Sequence, residues 1–244
     1  MAGAATVDKA LDVLFHLHDA GGAVGLTEIG RALDLPKSSC HRLLASLVDR
    51  EVVSRDEFGR YRPGLALLSL GIGAQRGEPV VAAARPILEE EARALGETVF
   101  LVGLRHDRLR VLDKVEGPGF LRAAPGVGDV VPAPPTAAGK LYALFGAFPS
   151  AAGEVRFAEG EAETIRRRGY ALNRDAWIDG LSVLGVPVWQ GTGAGARDLV
   201  AVMALASSSP RFEALGEREV ARRLLEAAAR AGKRLGGTRA GEAR

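Results

Sequence analysis

The chain of 244 residues contains a single cysteine, Cys40. That count excludes an internal disulfide framework and any multi-cysteine zinc site. No apolar run approaches the roughly 20 residues needed to span a bilayer, and residues 1–6 lack the basic flank and apolar core of a secretion signal. These absences predict a soluble, cytoplasmic protein with no membrane partner. An excess of one charge is also missing, since 32 Lys and Arg face 30 Asp and Glu and leave a net charge of +2. A histone-like polycation is thereby ruled out, and any affinity for nucleic acid must come from a local patch. What remains is a common globular balance of 47% hydrophobic and 25% charged residues, which excludes disorder as the dominant state. At roughly 150 residues per domain the length allows one large domain or two modest ones.

The N-terminal third reads as three short helices and a hairpin. Val7, Ala10, Leu11, Leu14 and Leu17 recur at helical spacing, predicting an amphipathic helix over residues 6–20 that ends at Gly21-Gly22. Thr27 precedes a helix of about two turns at residues 28–33, and Asp34-Leu35-Pro36 turns tightly into a helix over 38–50. Residues 52–62 alternate like strands around Glu57-Phe58-Gly59, a hairpin tip with a glycine suited to positive φ. Residues 65–75 read as helical again, and Gly77-Glu78-Pro79 marks a boundary. Beyond it the pattern predicts a helix from Val80 to Leu95 and strands at 98–104, 109–115 and 120–124. Further along it predicts helices at 136–145, 161–168 and 211–235, strands at 181–189 and 199–207, and a tail from Gly236 expected to fray. Strands flanked by helices without regular βαβ alternation argue for an α+β domain.

The information sits in the helix–turn–helix over residues 26–47. Its first helix braces the second, and the short turn sets the angle at which the second can enter a major groove. The exposed side of that second helix carries Lys37, Ser38, Ser39, His41 and Arg42, donors suited to base edges and phosphates. Arg55, Arg60 and Arg62 follow on the hairpin, where a wing can lie along the backbone or minor groove. Four acids offset six basic residues between Lys37 and Arg62, so charge alone says little. A protein-interaction module could share this layout. The order of helix, helix, tight turn, polar helix start and basic hairpin favours double-stranded DNA.

The run from Leu26 to Leu44 (LTEIGRALDLPKSSCHRLL) resembles the winged helix–turn–helix of the IclR family of bacterial transcriptional regulators. Glu97-Thr98-Val99, residues 111–117 (VLDKVEG), 136–140 (TAAGK) and 166–170 (RRRGY) resemble that family's effector domain, and Gly180 and Pro187 fit its later pattern. The resemblance runs from about Val7 to Leu235, with five motifs in the same order. It implies an α+β architecture with a winged helix–turn–helix at 1–63, a linker helix at 64–78, a GAF-like effector domain at 79–235 and a disordered tail at 236–244. It also implies a homodimer or dimer of dimers on a palindromic operator, modulated by a small organic effector, with no cofactor and no catalysis.

By the same resemblance the effector lies against Thr136, Ala137 and Ala138, where backbone N–H groups at a helix start suit a carboxylate. The other wall is expected from Asn173, Asp175, Trp177 and the two long C-terminal strands. Family members often carry cysteine where Val183 stands, serines where Ala204 and Ala206 stand, and a histidine where Pro134 stands. With Phe100, Leu121 and Trp177 near, the pocket should favour an aromatic or otherwise apolar effector bearing one carboxylate. A tiny polar ligand there would leave hydrogen bonds unmade, at about 1–3 kcal/mol each. Val183, Ala204 and Ala206 can equally be core packing, as can Phe100 and Trp177.

Enzyme readings find little. Gly180-Leu181-Ser182-Val183-Leu184-Gly185 misses a nucleophile elbow by one residue, and Gly191-Thr192-Gly193-Ala194-Gly195 lacks the spacing and helix of a dinucleotide loop. The four histidines, His16, His18, His41 and His106, are scattered, and Cys40 lacks a resolving partner.

Overall fold

The computed structural model describes residues 4–118, 125–146, 155–190 and 198–241. The chain divides into two compact units, residues 1–74 and 75–244.

In the first unit, α1 (Ala5–Asp19), α2 (Leu26–Ala32) and α3 (Lys37–Val48) precede a ribbon of β1 (Val53–Arg55) and β2 (Tyr61–Pro63). Helix α1 buries Val13 and Leu17 against Ile29, Cys40, Leu44, Val53 and Tyr61, whereas Val7 and Leu11 of the expected apolar face stay exposed. Full burial of such side chains contributes about 1.5–3 kcal/mol each, which lets helices of 7 and 12 residues persist that would be marginal alone. The turn between α2 and α3 is tight because Gly30 has no side chain. A Cβ there would lie 3.1 Å from the Leu35 carbonyl oxygen, and the Leu35 N–H donates to Gly30 O at 2.8 Å. Pro36 occupies the N-cap position of α3, just before its first residue, Lys37. The ribbon is antiparallel, with Ser54 opposite Arg62, and Val24 bridges to Tyr61 on its other side.

Helix α4 (Leu65–Arg76) leads into the second unit, where α5 (Pro79–Leu95) is followed by β3 (Thr98–Arg105), β4 (Arg108–Val115) and the short β5 (Val130–Val131). Then come α6 (Ala137–Phe145), α7 (Glu161–Arg168), β6 (Ala171–Arg174), β7 (Leu181–Gln190), β8 (Asp198–Ser208), α8 (Ser209–Leu215) and α9 (Glu217–Gly241). The strands form one antiparallel sheet in the order β5-β4-β3-β8-β7-β6. Both faces are covered, so β7 and β8 are apolar at nearly every position while still alternating. Leu184, Val186, Val188, Met203 and Leu205 pack with α5 and α9 on one face. Phe100, Val102, Val183, Val202, Ala204 and Ala206 pack with α6 and Ile165 of α7 on the other.

Three expectations need correction. The C-terminal helix is two helices, because Gly216 at φ 83° interrupts residues 209–241. The second continues past Gly236 to Gly241, so the expected tail begins as helix: glycine weakens a helix by about 1 kcal/mol without forbidding it. Strand β6 occupies residues 171–174, to which the sequence pattern assigns no element; its four residues are too short for a periodic signal. The strand expected at 120–124 and the glycine turn at 191–195 lie outside the described residues.

Candidate functional site

Two places concentrate functional side chains, one in each unit. In the first, Lys37, Ser38, His41 and Arg42 are exposed along the first half of α3, while Ser39 is half-buried beside the buried Cys40. Arg42 makes no hydrogen bond or ion pair among the described residues and is free to reach outward. The hairpin arginines are braced instead. Arg62 Nε donates to Ser54 Oγ at 3.1 Å, the Arg55 guanidinium lies 5.6 Å from the Tyr61 ring centre, and Arg60 Nε meets Asp56 Oδ2 at 3.2 Å. Hydrogen bonding from the Arg60 backbone N–H, with help from its side chain and the Phe58 N–H, holds the Asp56 carboxyl below its ordinary range.

Cys40 is buried in this helix with Sγ 3.9 Å from the Leu26 carbonyl, and burial pushes its thiol up from 9.0. A raised thiol pKa means less thiolate at neutral pH, and thiolate is the reactive form. Iodoacetamide at pH 7.5 is therefore expected to leave native Cys40 unmodified and to alkylate it fully in denaturant, as read by intact mass. Rapid native labelling would contradict this and restore a redox role.

In the second unit, a narrow cavity lies between the sheet and the start of α6. Phe100, Thr136, Ala137, Ala138, Asn173, Trp177, Val183, Ala204 and Ala206 line it, joined by Val102, Pro125, Val131 and Leu181. Val102 and Val131 escaped sequence reasoning because an apolar strand residue facing a cavity has the same pattern as one facing a core, whereas Pro125 lies outside any strand and Leu181 opens a strand already expected in the wall. Leu121 lies outside the described residues. Asp175 is not part of the lining: at φ 55° its Oδ1 accepts from the Gly180 N–H at 2.8 Å and from Ser209 Oγ at 3.0 Å, so it clamps the β6–β7 turn. That turn carries Trp177, which is half-buried at the cavity.

Besides the indole N–H of Trp177, Thr136 and Asn173 are the polar side chains of the lining, and both are buried. The Thr136 hydroxyl is engaged, donating to Pro132 O at 2.7 Å and accepting from the Gly139 N–H at 3.2 Å as the cap of α6. Asn173 Oδ1 accepts from the Ala176 N–H at 3.1 Å, and its amide nitrogen has no partner among the described residues. The first N–H groups of α6, on Ala137 and Ala138, have no intrahelical acceptor either. The helix start is thus a site of partial positive charge within an otherwise apolar cavity.

Ser182, within the near-miss to a nucleophile elbow, is buried on β7 with its Oγ 2.9 Å from Ser209 Oγ. Among the described residues no group of three or more His, Cys, Asp or Glu could hold a metal ion, and no helix is long and apolar enough to cross a membrane.

Known proteins match this arrangement over both units. Residues 6–57 match the model of the IclR helix-turn-helix domain, and residues 74–151 match that of the bacterial transcriptional regulator IclR C-terminal region. An HTH-type transcriptional regulator of Mycobacterium tuberculosis is 32% identical over 201 residues, covering 75% of this chain and 76% of its own. The crystal structure of the Thermotoga maritima IclR superposes with a TM-score of 0.78 at 25% identity, covering 95% of this chain and 98% of the other. An IclR homologue from Microbacterium hydrocarbonoxydans, solved with 4-hydroxybenzoate, superposes with a TM-score of 0.73 at 20% identity, covering 94% and 98%. The helix–turn–helix, its basic wing and the α+β domain that follows them in the chain therefore belong to one kind of protein: this chain is a member of the IclR family of DNA-binding bacterial transcriptional regulators.

Proposed function

We propose that the protein works as a homodimer or dimer of dimers on a palindromic operator, with its DNA affinity set by an apolar carboxylate, aromatic by preference, bound beneath α6. The lining of the cavity carries this reading. Of its 13 residues only Thr136, Asn173 and, through its indole N–H, Trp177 carry polar side-chain atoms, and the Thr136 hydroxyl is already engaged. A ligand there meets hydrocarbon on most sides, with the α6 N–H groups and the Asn173 amide nitrogen left to hold one anionic end. The homologue solved with 4-hydroxybenzoate supports an aromatic acid as the class to try first.

Lys37, Ser38, Ser39, His41 and Arg42 then face the major groove, and Arg55, Arg60 and Arg62 flank it on the wing. One such helix reads only a few base pairs, so operator specificity calls for two copies. Apolar surface favours their association: Val7, Leu11 and Phe15 lie one turn apart on α1 at 55%, 46% and 65% exposure. Leu65, Leu68, Leu70 and Ile72 of α4 are exposed as well. Ligand shifts the balance between dimer forms that match or mismatch the operator, by no more than its differential affinity for them, with the linker helix as transmitter.

Calorimetric titration of the full chain tests the ligand class. Benzoate or 4-hydroxybenzoate is expected to bind at least about tenfold more tightly than glyoxylate or pyruvate, the loss of one or two unmade hydrogen bonds. Tighter binding of either small acid than of any aromatic acid would sink the assignment.

A further inference from the structure

The recognition helix leaves the tip of the wing unexplained. Phe58 there is 74% exposed, the most of any large hydrophobic side chain among the described residues. Its place is fixed. Asp56 Oδ1 accepts from the backbone N–H groups of Phe58 at 3.0 Å and Arg60 at 2.8 Å, and the Gly59 N–H donates to Asp56 O at 3.0 Å. Gly59 closes the turn at φ 75°, a value that costs a side-chain-bearing residue strain. Above the ring, the Arg60 guanidinium stands 5.6 Å from its centre and is itself held by Asp56. The charge of Asp56 is used within the turn, leaving Glu57 as the one open acid among Arg55, Arg60 and Arg62.

A rigid ring held in water on a cationic ribbon forgoes the free energy of apolar contact. Beside a helix docked in a major groove, the apolar surface within reach of such a ribbon is the stacked base edges of the adjacent minor groove. The negative potential of that groove attracts the arginines around the ring. We propose that Phe58 is a wedge that enters the minor groove flanking each half-site, partly unstacks one base step and kinks the duplex there. Operator preference then extends to positions that no hydrogen bond reads, with a pyrimidine–purine step favoured under the wedge because it unstacks most easily.

The test begins with duplexes enriched by the wild-type protein from a random-sequence library, and compares wild type, Phe58→Ala and Phe58→Leu on them by gel shift and circular-permutation bending. Phe58→Ala is expected to weaken binding about tenfold and abolish the flanking kink, with the salt dependence unchanged because no phosphate contact leaves with the ring. Phe58→Leu, which keeps an apolar wedge, is expected to stay within about threefold of wild type. With the wild type itself, 2-aminopurine at the flanking step is expected to brighten on binding as the base unstacks. Phe58→Ala binding within twofold of wild type, or a silent 2-aminopurine probe, would overturn the wedge while leaving the recognition helix untouched. Failure of the wild type to enrich any duplex would overturn operator recognition and the wedge with it.

Discussion

Gly139→Ala is expected to be among the most damaging single substitutions in the second unit. A Cβ at this position would lie 1.8 Å from the Ala133 carbonyl oxygen and 2.5 Å from its carbon, both backbone atoms that cannot rotate away. Helix α6 cannot retreat toward the sheet, because Gly185 on β7 has already been reduced to a hydrogen to admit it: a Cβ there would meet Val202 at 3.0 Å and the Ala137 side chain at 3.4 Å. The 132–136 segment cannot retreat without breaking the α6 cap, in which Thr136 Oγ1 accepts from the Gly139 N–H. Overpacking of this kind costs about 1–3 kcal/mol when neighbours can adjust and more when they cannot, so about 3 kcal/mol is the expectation. For a unit of this size that lowers its midpoint by about 10 °C in scanning calorimetry. Since Ala137 and Ala138 form one wall of the cavity, aromatic-acid binding is expected to vanish in the same variant. A midpoint within 2 °C of wild type, with binding intact, would show that the 132–136 segment yields freely.

The motif containing Gly139 was visible in the sequence, but the reason for its glycine was not. The close approach joins a loop to a helix through a space that no local pattern encodes. The same division runs through the whole chain. The strands β7 and β8 were legible because runs such as LSVLGVPVW and LVAVMALAS are long and β-branched, and α1 because its apolar positions repeat every turn. The break at Gly216 and the short β6 were not, since a single positive-φ glycine and a four-residue strand carry too little signal. Most of the cavity lining was placed in advance through family resemblance rather than periodicity. Asp175 shows the limit of that route: a carboxylate beside a pocket can serve the turn instead of the ligand, and only its two acceptor contacts reveal which. For the helix–turn–helix the reverse holds, because the turn, its proline and the polar start of α3 all lie within a dozen consecutive residues.

Arg42→Ala is expected to have the largest effect on operator binding. The side chain stands exposed on α3 with no partner among the described residues, so its removal leaves the folded first unit intact and the melting profile unchanged. A guanidinium reading guanine through two hydrogen bonds is worth about 1–3 kcal/mol. On the two-fold operator proposed above both copies would lose that contact, and about 2–6 kcal/mol corresponds to a loss between about 30-fold and about 10⁴-fold. Arg42→Lys should recover little of it, because an ammonium cannot present the paired donors. Binding to nonspecific duplex is expected to change only slightly, since the backbone contacts of the wing and the helix start persist. Unchanged affinity for enriched duplex would remove Arg42 from the recognition set. A mixed dimer with one altered copy separates the two parts of the argument. If each copy reads one half-site, it loses the square root of the factor lost by the doubly altered dimer. A mixed dimer that loses the whole factor would mean that both copies must bind before either reads sequence, and one that loses nothing would place recognition in a single subunit.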